Sequence, residues 1–482
     1  MQKPTGRPHE IKRLRKLLRS KKPELLVLYG RRRIGKTFLI RSVYRKNILF
    51  EFSGLHQANM ADQLENYILQ FAQDLSTKIL ENPPKTWLAA FKHLEQYLET
   101  KKTKAKKVIF FDEFPWIATR RSKFLTAFEH FWNNYASRRN DLIVVICGSS
   151  ASYMVEKIIL NRGGLHNRIT EKMRLLPFNL NETAQFLTKR GILYNQYDIL
   201  QLYMSIGGVP HYLEQVEKGE SVAQTIDRLC FTKDGFLVTE FNNIFASLFE
   251  HDHLHREIVT LLAKARKGYT RNEIIGTSKH FQSGGTFTKV LNELVESGFV
   301  TQYMPYKGTV KQSLYRLTDE YSQFYLKFIH GKKHGGQGTW LNYFTKQSYK
   351  SWCGFAFETL CLKHINQLKT ALGIQKIYTE QGSWVQKGTD GLQGTQIDLL
   401  IDRADRVINL CEIKFSANEF TITKKYAEEL QQKMNQFRTN TKTRKNIFLV
   451  LITTNGVKQN SYALQLVQSS ITADVLFEPD QN

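Results

Sequence analysis

Cysteine is scarce in this sequence, which has only five cysteines in 482 residues. They are scattered along the chain and include no Cys-x-x-Cys pair. This spacing argues against a disulfide framework and is typical of reduced thiols in a cytoplasmic protein.

The sequence also lacks long apolar runs. No stretch of about 18 apolar residues occurs, so we expect no segment to span a bilayer. The first residues, MQKPTGRPHEIKRLRKLL, are basic, but no apolar block with a small-residue cleavage site follows them, as it would in a signal peptide. We therefore expect a cytoplasmic protein with no membrane partner.

Acidic residues are outnumbered by basic ones. The chain has 44 Asp and Glu against 69 Lys and Arg, which gives a formal net charge of +25. Such a field favours polyanions and above all nucleic acid, although many basic proteins never contact nucleic acid. Hydrophobic and charged contents of 41% and 23% are ordinary for a globular protein. A chain of this length is expected to fold as two to four domains.

The stretch ELLVLYGRRRIGKTFLIRSVYRK has the spacing G-x-x-x-x-G-K-T between a strand-like apolar run and a helical pattern. A phosphate-binding P-loop requires this context. Its glycines let backbone N–H groups close around phosphates, Lys36 can reach the β- and γ-phosphate oxygens, and Thr37 can ligate Mg²⁺. We therefore predict ATP and Mg²⁺ as cofactors, held by Gly30, Arg31, Arg32, Arg33, Ile34, Gly35, Lys36 and Thr37.

Two further strand-like runs end in polar residues. KKVIFFDEFPWI ends in a Walker B arrangement, in which Asp112 would hold Mg²⁺ and Glu113 would polarise the attacking water. DLIVVICGSSASYM ends near Ser149, which in a parallel sheet would lie beside the γ-phosphate and sense it. A helix N-cap is the alternative role for this polar strand end.

The sequence contains four motifs in the order GRRRIGKT, FFDEFPWI, CGSS and GGVPHYL. Together they resemble the archaeal-type ATPases of the STAND branch of P-loop proteins, which are similar to AAA+ machines. The resemblance spans about Gly6 to Leu213 and implies that Pro210 lies near the adenine. GRPHEIKRL resembles the short box before the P-loop in that group, although Pro8 replaces its usual acidic residue. Arg168 is a candidate reporter on a nucleotide held by a neighbouring helix or subunit, so a homo-oligomer stays open.

From about residue 251 the pattern changes to three helices followed by two short strands. This order is typical of a winged helix, in which Lys289 on the recognition helix and Lys307 and Lys311 on the wing would face phosphates. Winged helices in this ATPase group also act as lids or protein contacts, so these roles stay open beside DNA binding. His251 and His255 share a helix face, but we interpret them as capping or solvated side chains because no further ligand clusters with them.

The segment HGKKHGGQG, residues 330–338, is the clearest linker, because clustered glycine and lysine cannot build a core. The expected fold class is α/β. Its parts are a P-loop NTPase domain with a parallel sheet (1–200), an all-α lid (201–250), a winged helix (251–320), a linker (321–345) and a small α/β domain (346–482).

The last domain places Asp398 at the end of one short apolar run and Glu412-x-Lys414 at the end of the next. A helix with Glu358 precedes them, and the elements read α-β-β-β-α-β. The order and the spacing resemble the PD-(D/E)xK, restriction-endonuclease-like fold, and such domains are fused to the C-terminus of the same ATPases. A half-buried hairpin with solvated charges is the alternative interpretation.

The second resemblance implies a magnesium-dependent phosphodiesterase. Carboxylate oxygens are the ligands that Mg²⁺ prefers, so Asp398 and Glu412 would hold the ion together with the Ile413 carbonyl. Glu358 would complete the metal site through a water. Lys414 would orient the attacking water or stabilise the transition state.

These patterns together predict an ATPase whose nucleotide state controls a fused nuclease acting on nucleic acid, with DNA as the favoured substrate. The alternative is a nucleotide-dependent switch or scaffold whose last domain binds nucleic acid or protein without cleaving it. A transcriptional regulator built around the winged helix is a third class, and it would bind specific sequences without cleavage.

Overall fold

A computed structural model describes the chain apart from residues 1–3, 75–81, 102–104, 120, 161, 266, 333–335, 337, 345, 387, 389–393 and 481–482. The chain forms two compact units. The N-terminal unit comprises Met1–Pro177, Ala246–Glu250 and Asn292–Gly298, and the C-terminal unit comprises Phe178–Phe245, His251–Leu291 and Phe299–Asn482.

The N-terminal unit is built on a five-stranded parallel sheet in the order β2-β3-β4-β1-β5. Its strands are β1 (Glu24–Tyr29), β2 (Ile48–Ser53), β3 (Lys107–Asp112), β4 (Leu142–Gly148) and β5 (Glu171–Arg174). The predicted parallel sheet is confirmed. Because the strands are parallel, the carboxyl ends of β1, β3 and β4 meet at one edge, where open α/β sheets bind ligands.

Alternating side chains explain why helices cover both faces of this sheet. In β3, Ile109 and Phe111 pack into one core, whereas Val108 and Phe110 pack into the other. Strands buried on both faces read as continuous apolar runs. The covering helices are α1 (Pro8–Leu18), α2 (Lys36–Tyr44), α3 (Met60–Asp74), α4 (Trp87–Thr100), α5 (Phe114–Ile117), α6 (Phe124–Asn134) and α7 (Ala151–Tyr153), which continues as a π-helix over Met154–Ile159.

A run of helices follows the parallel sheet. They are α8 (Leu180–Lys189), α9 (Gln196–Ile206), α10 (Pro210–Leu213), α11 (Val222–Cys230) and α12 (Glu240–Leu248). Capping boxes start two of these helices, with Asn179 before α8 and Ser221 before α11. The helical region is present as predicted, but it begins earlier, since residue 200, the predicted domain boundary, lies inside α9.

Glycine is required where α9 ends. A Cβ on Gly208 would lie 1.9 Å from the carbonyl oxygen of Phe178, and Gly207 has a φ of 70°. The Phe178 amide donates to the Gly208 carbonyl at 2.7 Å, so the two backbones are in direct contact. The motif GGVP is thus a tight crossing of two chain segments, after which Pro210 begins α10.

A three-stranded antiparallel sheet with three preceding helical segments occupies residues 252–317. Its elements in order are α13 (Asp252–Lys264), β6 (Tyr269–Thr270), α14 (Arg271–Thr277), α15 (Gly285–Glu296), β7 (Val300–Tyr303) and β8 (Leu314–Leu317). The strand order is β6-β8-β7. The order of elements agrees with the sequence pattern, and the assignment to the winged-helix class stays a prediction.

The predicted linker over 321–345 is largely helical and buried, which corrects that prediction. α16 (Glu320–Phe324) continues as a π-helix over Tyr325–Ile329, and α17 (Thr339–Phe344) follows. The Trp340 amide donates to Asp227 at 2.7 Å. Aromatic side chains give this stretch a core of its own, because Tyr321, Phe324, Tyr325, Phe328 and Trp340 are all buried. Part of HGKKHGGQG lies outside the described residues.

The C-terminal sheet has the order β13-β12-β11-β10-β9. Its strands are β9 (Thr379–Gln386), β10 (Thr395–Arg403), β11 (Val407–Lys414), β12 (Asn446–Thr453) and β13 (Val467–Thr472). β9 to β11 are antiparallel, and β11 to β13 are parallel. The helices are α18 (Gln347–Lys363), α19 (Ile365–Ala371), α20 (Lys424–Thr441) and α21 (Ser461–Leu466). The predicted order α-β-β-β-α-β is confirmed, and α21 with β13 extends it.

The edge strand β9 is covered by the residues that follow β7. Pro305 forms a parallel bridge with Ser383, and the Tyr306 amide donates to the Ser383 carbonyl at 2.8 Å. The Tyr306 ring lies 5.3 Å from the ring of Phe437 in α20. The start of the predicted wing is therefore fixed on the C-terminal sheet.

Within the described part of the chain, no helix is both long enough and apolar enough to cross a membrane. All five cysteines are buried free thiols.

Candidate active sites

The P-loop joins β1 to α2, and Lys36 is the first residue of the helix. Its ammonium group donates to the carbonyl oxygens of Gly30 at 2.8 Å and Arg31 at 2.9 Å. A Cβ on Gly30 would lie 2.3 Å from the Leu175 carbonyl oxygen, so only glycine fits there. The Lys36 ammonium group and the first backbone N–H groups of α2 are thus at the same end of the sheet.

Arginines surround the loop. Arg7, from the box before the P-loop, is buried and donates to the Ile34 carbonyl at 3.2 Å. The guanidinium of Arg32 lies 4.9 Å from the centre of the Trp116 ring. Arg33 is exposed and has a φ of 68°. Arg7 therefore fixes the loop backbone, a role that explains why the box precedes the P-loop.

The two predicted magnesium ligands of this site meet directly. The Thr37 hydroxyl donates to the Asp112 carboxylate at 2.6 Å. Asp112 is the buried last residue of β3, and Thr37 lies in the first turn of α2. The parallel strands β1 and β3, with β4 between them, end at the same sheet edge, so the P-loop brings Thr37 to Asp112.

Glu113 and Ser149 also meet. The Ser149 hydroxyl donates to Oε2 of Glu113 at 2.5 Å, and Glu113 has a φ of 47°. Ser150, not Ser149, is the N-cap residue of α7, and its side chain makes no capping hydrogen bond. The contact supports a role for Ser149 in placing Glu113, rather than the N-cap alternative.

This set of residues fits a magnesium nucleotide. Mg²⁺ on a nucleotide needs few protein ligands, because phosphate oxygens and waters complete its octahedron. Thr37 and Asp112 supply a hydroxyl and a carboxylate, and Lys36 supplies a positive charge for phosphate. The described residues include no group of three or more His, Cys, Asp or Glu that could hold a metal by itself. An ion here would therefore depend on the nucleotide.

Glu412 is the centre of a second cluster, in the C-terminal unit. Its Oε1 accepts hydrogen bonds from the Lys414 ammonium group at 2.9 Å and from the Tyr426 hydroxyl at 2.7 Å. Its Oε2 accepts one from the Lys433 ammonium group at 2.6 Å. Lys414 also lies 5.1 Å from the centre of the Tyr426 ring. The strand thus supplies Glu412 and Lys414, and α20 supplies Tyr426 and Lys433.

The electrostatics of this cluster keep Glu412 ionised. Burial alone would raise the pKa of Glu412, but the positive charges of Lys414 and Lys433 outweigh burial and lower this pKa to about 2. Burial, together with the Glu412 charge, raises the pKa of Tyr426 well above its usual range. Tyr426 therefore remains a hydrogen-bond donor at neutral pH.

Asp398 and Glu358 form a neighbouring pair of carboxyl groups. The paired residues of β10 and β11 end at Leu399 and Cys411, so Asp398 and Glu412 are the next residues on each strand. Burial raises the pKa of Glu358 to about 8, and the negative charge of Asp398 adds to this rise. Two nearby carboxyl groups of which one holds its proton are suited to gaining a cation.

A positive charge from the three-stranded sheet reaches the same region. Arg316 of β8 and Tyr303 of β7 line a cleft together with Asp398. Arg316 is buried, its Nε donates to the Lys267 carbonyl at 3.1 Å, and its guanidinium lies 5.3 Å from the centre of the Tyr303 ring. Its charge opposes the rise in the pKa of Glu358 that burial and Asp398 cause.

The predicted three-carboxylate ligand set is not assembled. Asp398, Glu412 and Glu358 are all described, and no group of three potential ligands at metal-binding positions includes them. The physical reason is that Lys414, Lys433 and Tyr426 already engage both oxygens of Glu412. The donor chemistry still fits Mg²⁺, and the oxygens of Asp398 and Glu412 with the Ile413 carbonyl are those that would hold it.

Comparison with known proteins identifies the part of the chain that contains the first site. Residues 5–216 match the family described as an ATPase domain predominantly from Archaea. They form an archaeal-type ATPase domain. An uncharacterized protein of Methanocaldococcus jannaschii is 24% identical over 434 residues, which are 89% of this chain and 91% of that protein. An alignment of this length must include most of the C-terminal unit.

Solved structures are similar in fold. A Walker-type ATPase of Pyrococcus abyssi gives a TM-score of 0.50 at 16% identity, covering 67% of this chain and 96% of that one. The ORC2 protein of Aeropyrum pernix gives 0.38 at 17% identity, covering 68% and 93%. The Pyrococcus likeness covers a larger share of the chain than the ATPase domain alone.

Other residues were also predicted to contribute to these sites. Arg168 is exposed in the ATPase domain, and Pro210 lies at the start of α10 in the C-terminal unit, so their roles at the nucleotide stay predictions. His255 is buried, with its Nδ1 3.1 Å from the His251 carbonyl oxygen. Asp402 lies in β10 and forms an ion pair with Lys445.

The sequence patterns missed Tyr426, Lys433 and Arg316. Tyr426 and Lys433 are seven residues apart, a spacing that places both on one face of a helix and was available as a signal. Their pairing with Glu412 depends on how α20 is rotated against β11, which no short motif encodes. Arg316 comes from a different sheet, and no sequence spacing connects it to Asp398.

Proposed function

We propose that this protein is an ATPase whose nucleotide state controls a fused, magnesium-dependent nuclease acting on DNA. The observation that carries the nuclease part is the ionised, buried Glu412 beside Lys414 near the end of β11, with Asp398 next to it on the adjoining strand β10. The confirmed α-β-β-β-α-β order supports a PD-(D/E)xK domain.

In the ATPase domain, each residue has a separable task. Lys36 neutralises the β- and γ-phosphates, and Thr37 with Asp112 would hold Mg²⁺. Glu113 orients the attacking water, and Ser149 fixes the Glu113 carboxylate at 2.5 Å. Bound Mg²⁺ supplies neutralisation of the charge that develops on the phosphates.

In the nuclease domain, Asp398 and Glu412 would hold Mg²⁺, which would lower the pKa of a water and neutralise negative charge on the phosphodiester. Lys414 would orient that water. Glu358 lies next to Asp398 and, in its protonated form, would lose its proton when the cation arrives. Arg316 adds a buried positive charge beside Asp398.

The order of α13, β6, α14, α15, β7 and β8 supports a winged helix between the two enzymes. The net charge of +25 favours a nucleic-acid partner. A nucleotide can control cleavage only if the ATP-bound and ADP-bound states differ in their contacts with the nuclease or the winged helix.

A second candidate function is an ATP-dependent switch or scaffold whose C-terminal domain binds nucleic acid or protein without cleaving it. One specific observation favours it: three donors occupy the oxygens of Glu412, and no group of three potential metal ligands includes any of the predicted carboxylates, all of which are described. A binding domain would keep the positive charge of Lys414 and Lys433 and would need no metal.

The deciding experiment incubates the purified full chain with single- and double-stranded DNA, with and without ATP and Mg²⁺. We expect cleavage that requires Mg²⁺, that Asp398→Asn abolishes, and that Asp405→Asn, a control in the exposed turn of the same hairpin, leaves intact. ATP hydrolysis should survive Asp398→Asn. Glu113→Gln held in ATP should change the cleavage rate several-fold relative to nucleotide-free protein.

Three outcomes separate the parts of this proposal. Cleavage that survives Asp398→Asn would remove the assigned nuclease site. DNA binding without cleavage under every condition would establish the second candidate. Cleavage indifferent to ATP, ADP and Glu113→Gln would leave a nuclease that the ATPase domain does not control.

A further inference from the structure

Helix α20 supplies two of the three donors on Glu412, and neither belongs to the Glu-x-Lys motif. Tyr426 and Lys433 are two helical turns apart and lie on one face of α20. Tyr426 donates to Oε1 together with Lys414, whereas Lys433 is the donor to Oε2 at 2.6 Å. The two oxygens therefore have different environments.

The charges of this cluster oppose a further cation. Glu412 and the neighbouring Asp398 carry two negative charges, and Lys414 and Lys433 already carry two positive charges against them. A divalent cation on Glu412 would add two more positive charges close to both ammonium groups. Like charges this close in a partly buried site repel strongly, so one lysine has to leave its oxygen when the cation binds.

Lys433 is the lysine that can leave. Lys433 is the donor to Oε2, so its departure frees that oxygen, and its long stem can swing outward although its side chain is less exposed than that of Lys414, 21% against 33%. Departure of Lys414 would leave the Tyr426 hydroxyl on Oε1, and Lys414 also lies 5.1 Å from the centre of the Tyr426 ring. Departure of Lys433 alone exposes Oε2 to a cation.

We propose that Lys433 occupies the place of the divalent cation on Glu412, is displaced from Oε2 when the cation binds, and then contacts the substrate phosphate. This inference rests on the proposed nuclease function. It makes Lys433 a catalytic residue delivered by the crossover helix. A phosphodiester brings the negative charge that a displaced ammonium group requires as its new partner.

The test compares Lys433→Met with wild-type full chain in two measurements. Calorimetric titration with Mn²⁺ in the absence of nucleotide measures cation binding. The Glu412→Gln variant identifies the signal of this site, because the heat that is lost in this variant comes from binding at Glu412. Lys433→Met should bind Mn²⁺ roughly fivefold more tightly or better, because no ammonium group has to be displaced. Its DNA cleavage rate at saturating Mn²⁺ should fall about a hundredfold, as for the loss of one transition-state donor.

Displacement predicts that Lys433→Met binds Mn²⁺ more tightly but cleaves DNA more slowly. Damage to the fold would instead weaken both Mn²⁺ binding and DNA cleavage. Lys433→Arg keeps the positive charge and should return Mn²⁺ affinity to the wild-type value. Lys425→Met removes an exposed lysine of the same helix and should change neither measurement.

An unchanged Mn²⁺ affinity in Lys433→Met would overturn the displacement, whether or not the protein cleaves DNA. An unchanged cleavage rate would overturn the catalytic role. If wild-type protein cleaves no DNA while Lys433→Met binds Mn²⁺ more tightly, the displacement is supported and the nuclease function fails.

Discussion

At the scale of single residues, one hydroxyl group determines where the Glu113 carboxylate lies. Ser149 reaches it from the end of β4, the strand between β3 and the P-loop strand. Glu113 itself follows β3 in a left-handed backbone conformation, with a φ of 47° that few side chains adopt without cost. A carboxylate held at this point is ready to orient a water against the nucleotide.

Ser149→Ala should slow ATP hydrolysis without weakening ATP binding. Loss of a hydrogen bond to a charged group costs about 1.5 kcal/mol, so we expect turnover to fall about tenfold. Steady-state hydrolysis and equilibrium binding of a fluorescent ATP analogue measure the two quantities. Ser150→Ala is the matched control. A loss of affinity with unchanged turnover would instead place Ser149 on the nucleotide and not on Glu113.

At the scale of secondary-structure elements, the contact between Gly208 and Phe178 joins the start of the helical region to the end of α9. The Phe178 amide and the Gly208 carbonyl are 2.7 Å apart, which leaves no space for a side chain. The two residues belong to the same compact unit, so this crossing fixes the helices of that unit against each other.

Gly208→Ala should destabilise the C-terminal unit. The new methyl group would overlap the Phe178 carbonyl oxygen, and relief of this overlap moves the backbone, at a cost of about 1–3 kcal/mol. Differential scanning calorimetry should show a lower midpoint for the unfolding transition. Gly285→Ala, where the added Cβ meets open space, should leave the midpoint unchanged. Equal midpoints for wild-type protein and Gly208→Ala would show that the two backbones separate easily.

Sequence patterns predicted elements well where burial alternates or where a motif ends a strand. Asp112 and Glu113 could be placed because an apolar run must end at the sheet edge. Asp398 and Glu412 were brought together by the spacing of their motif, although Asp398 lies within β10 and not at its end. The helical, aromatic segment around Trp340 was missed, because neighbouring glycine and lysine residues suggested a linker. Lys433 was missed because its contact depends on helix rotation, which follows from packing of the whole domain.

At the scale of the whole molecule, charge is the most unusual property. A net charge of +25 raises the local concentration of polyanions and speeds their association. The corrected linker changes how control by ATP can operate. Since α16, the π-helix after it and α17 are largely buried, the proposed control by ATP would involve whole packed elements and not a flexible tether.

DNA affinity should fall steeply with salt. Each neutralised phosphate releases a counterion, so contact with at least six phosphates lowers affinity roughly a thousandfold or more between 50 and 200 mM salt. Fluorescence anisotropy with labelled DNA, in EDTA to prevent cleavage, measures this slope. If DNA affinity does not change with salt concentration, the positive charge of the protein does not serve to bind nucleic acid.

The cover over β9 has a practical meaning for anyone who shortens this chain. A fragment that starts near residue 346 would lose Pro305 and Tyr306, and Ser383 would present its carbonyl group unpaired. Phe437 would lose an aromatic neighbour at the same edge. Uncovered edge strands pair with other copies of themselves, so such a fragment is prone to aggregate. A soluble version of the C-terminal domain therefore has to keep Pro305 and Tyr306, together with the sheet β6-β8-β7 that precedes and follows them.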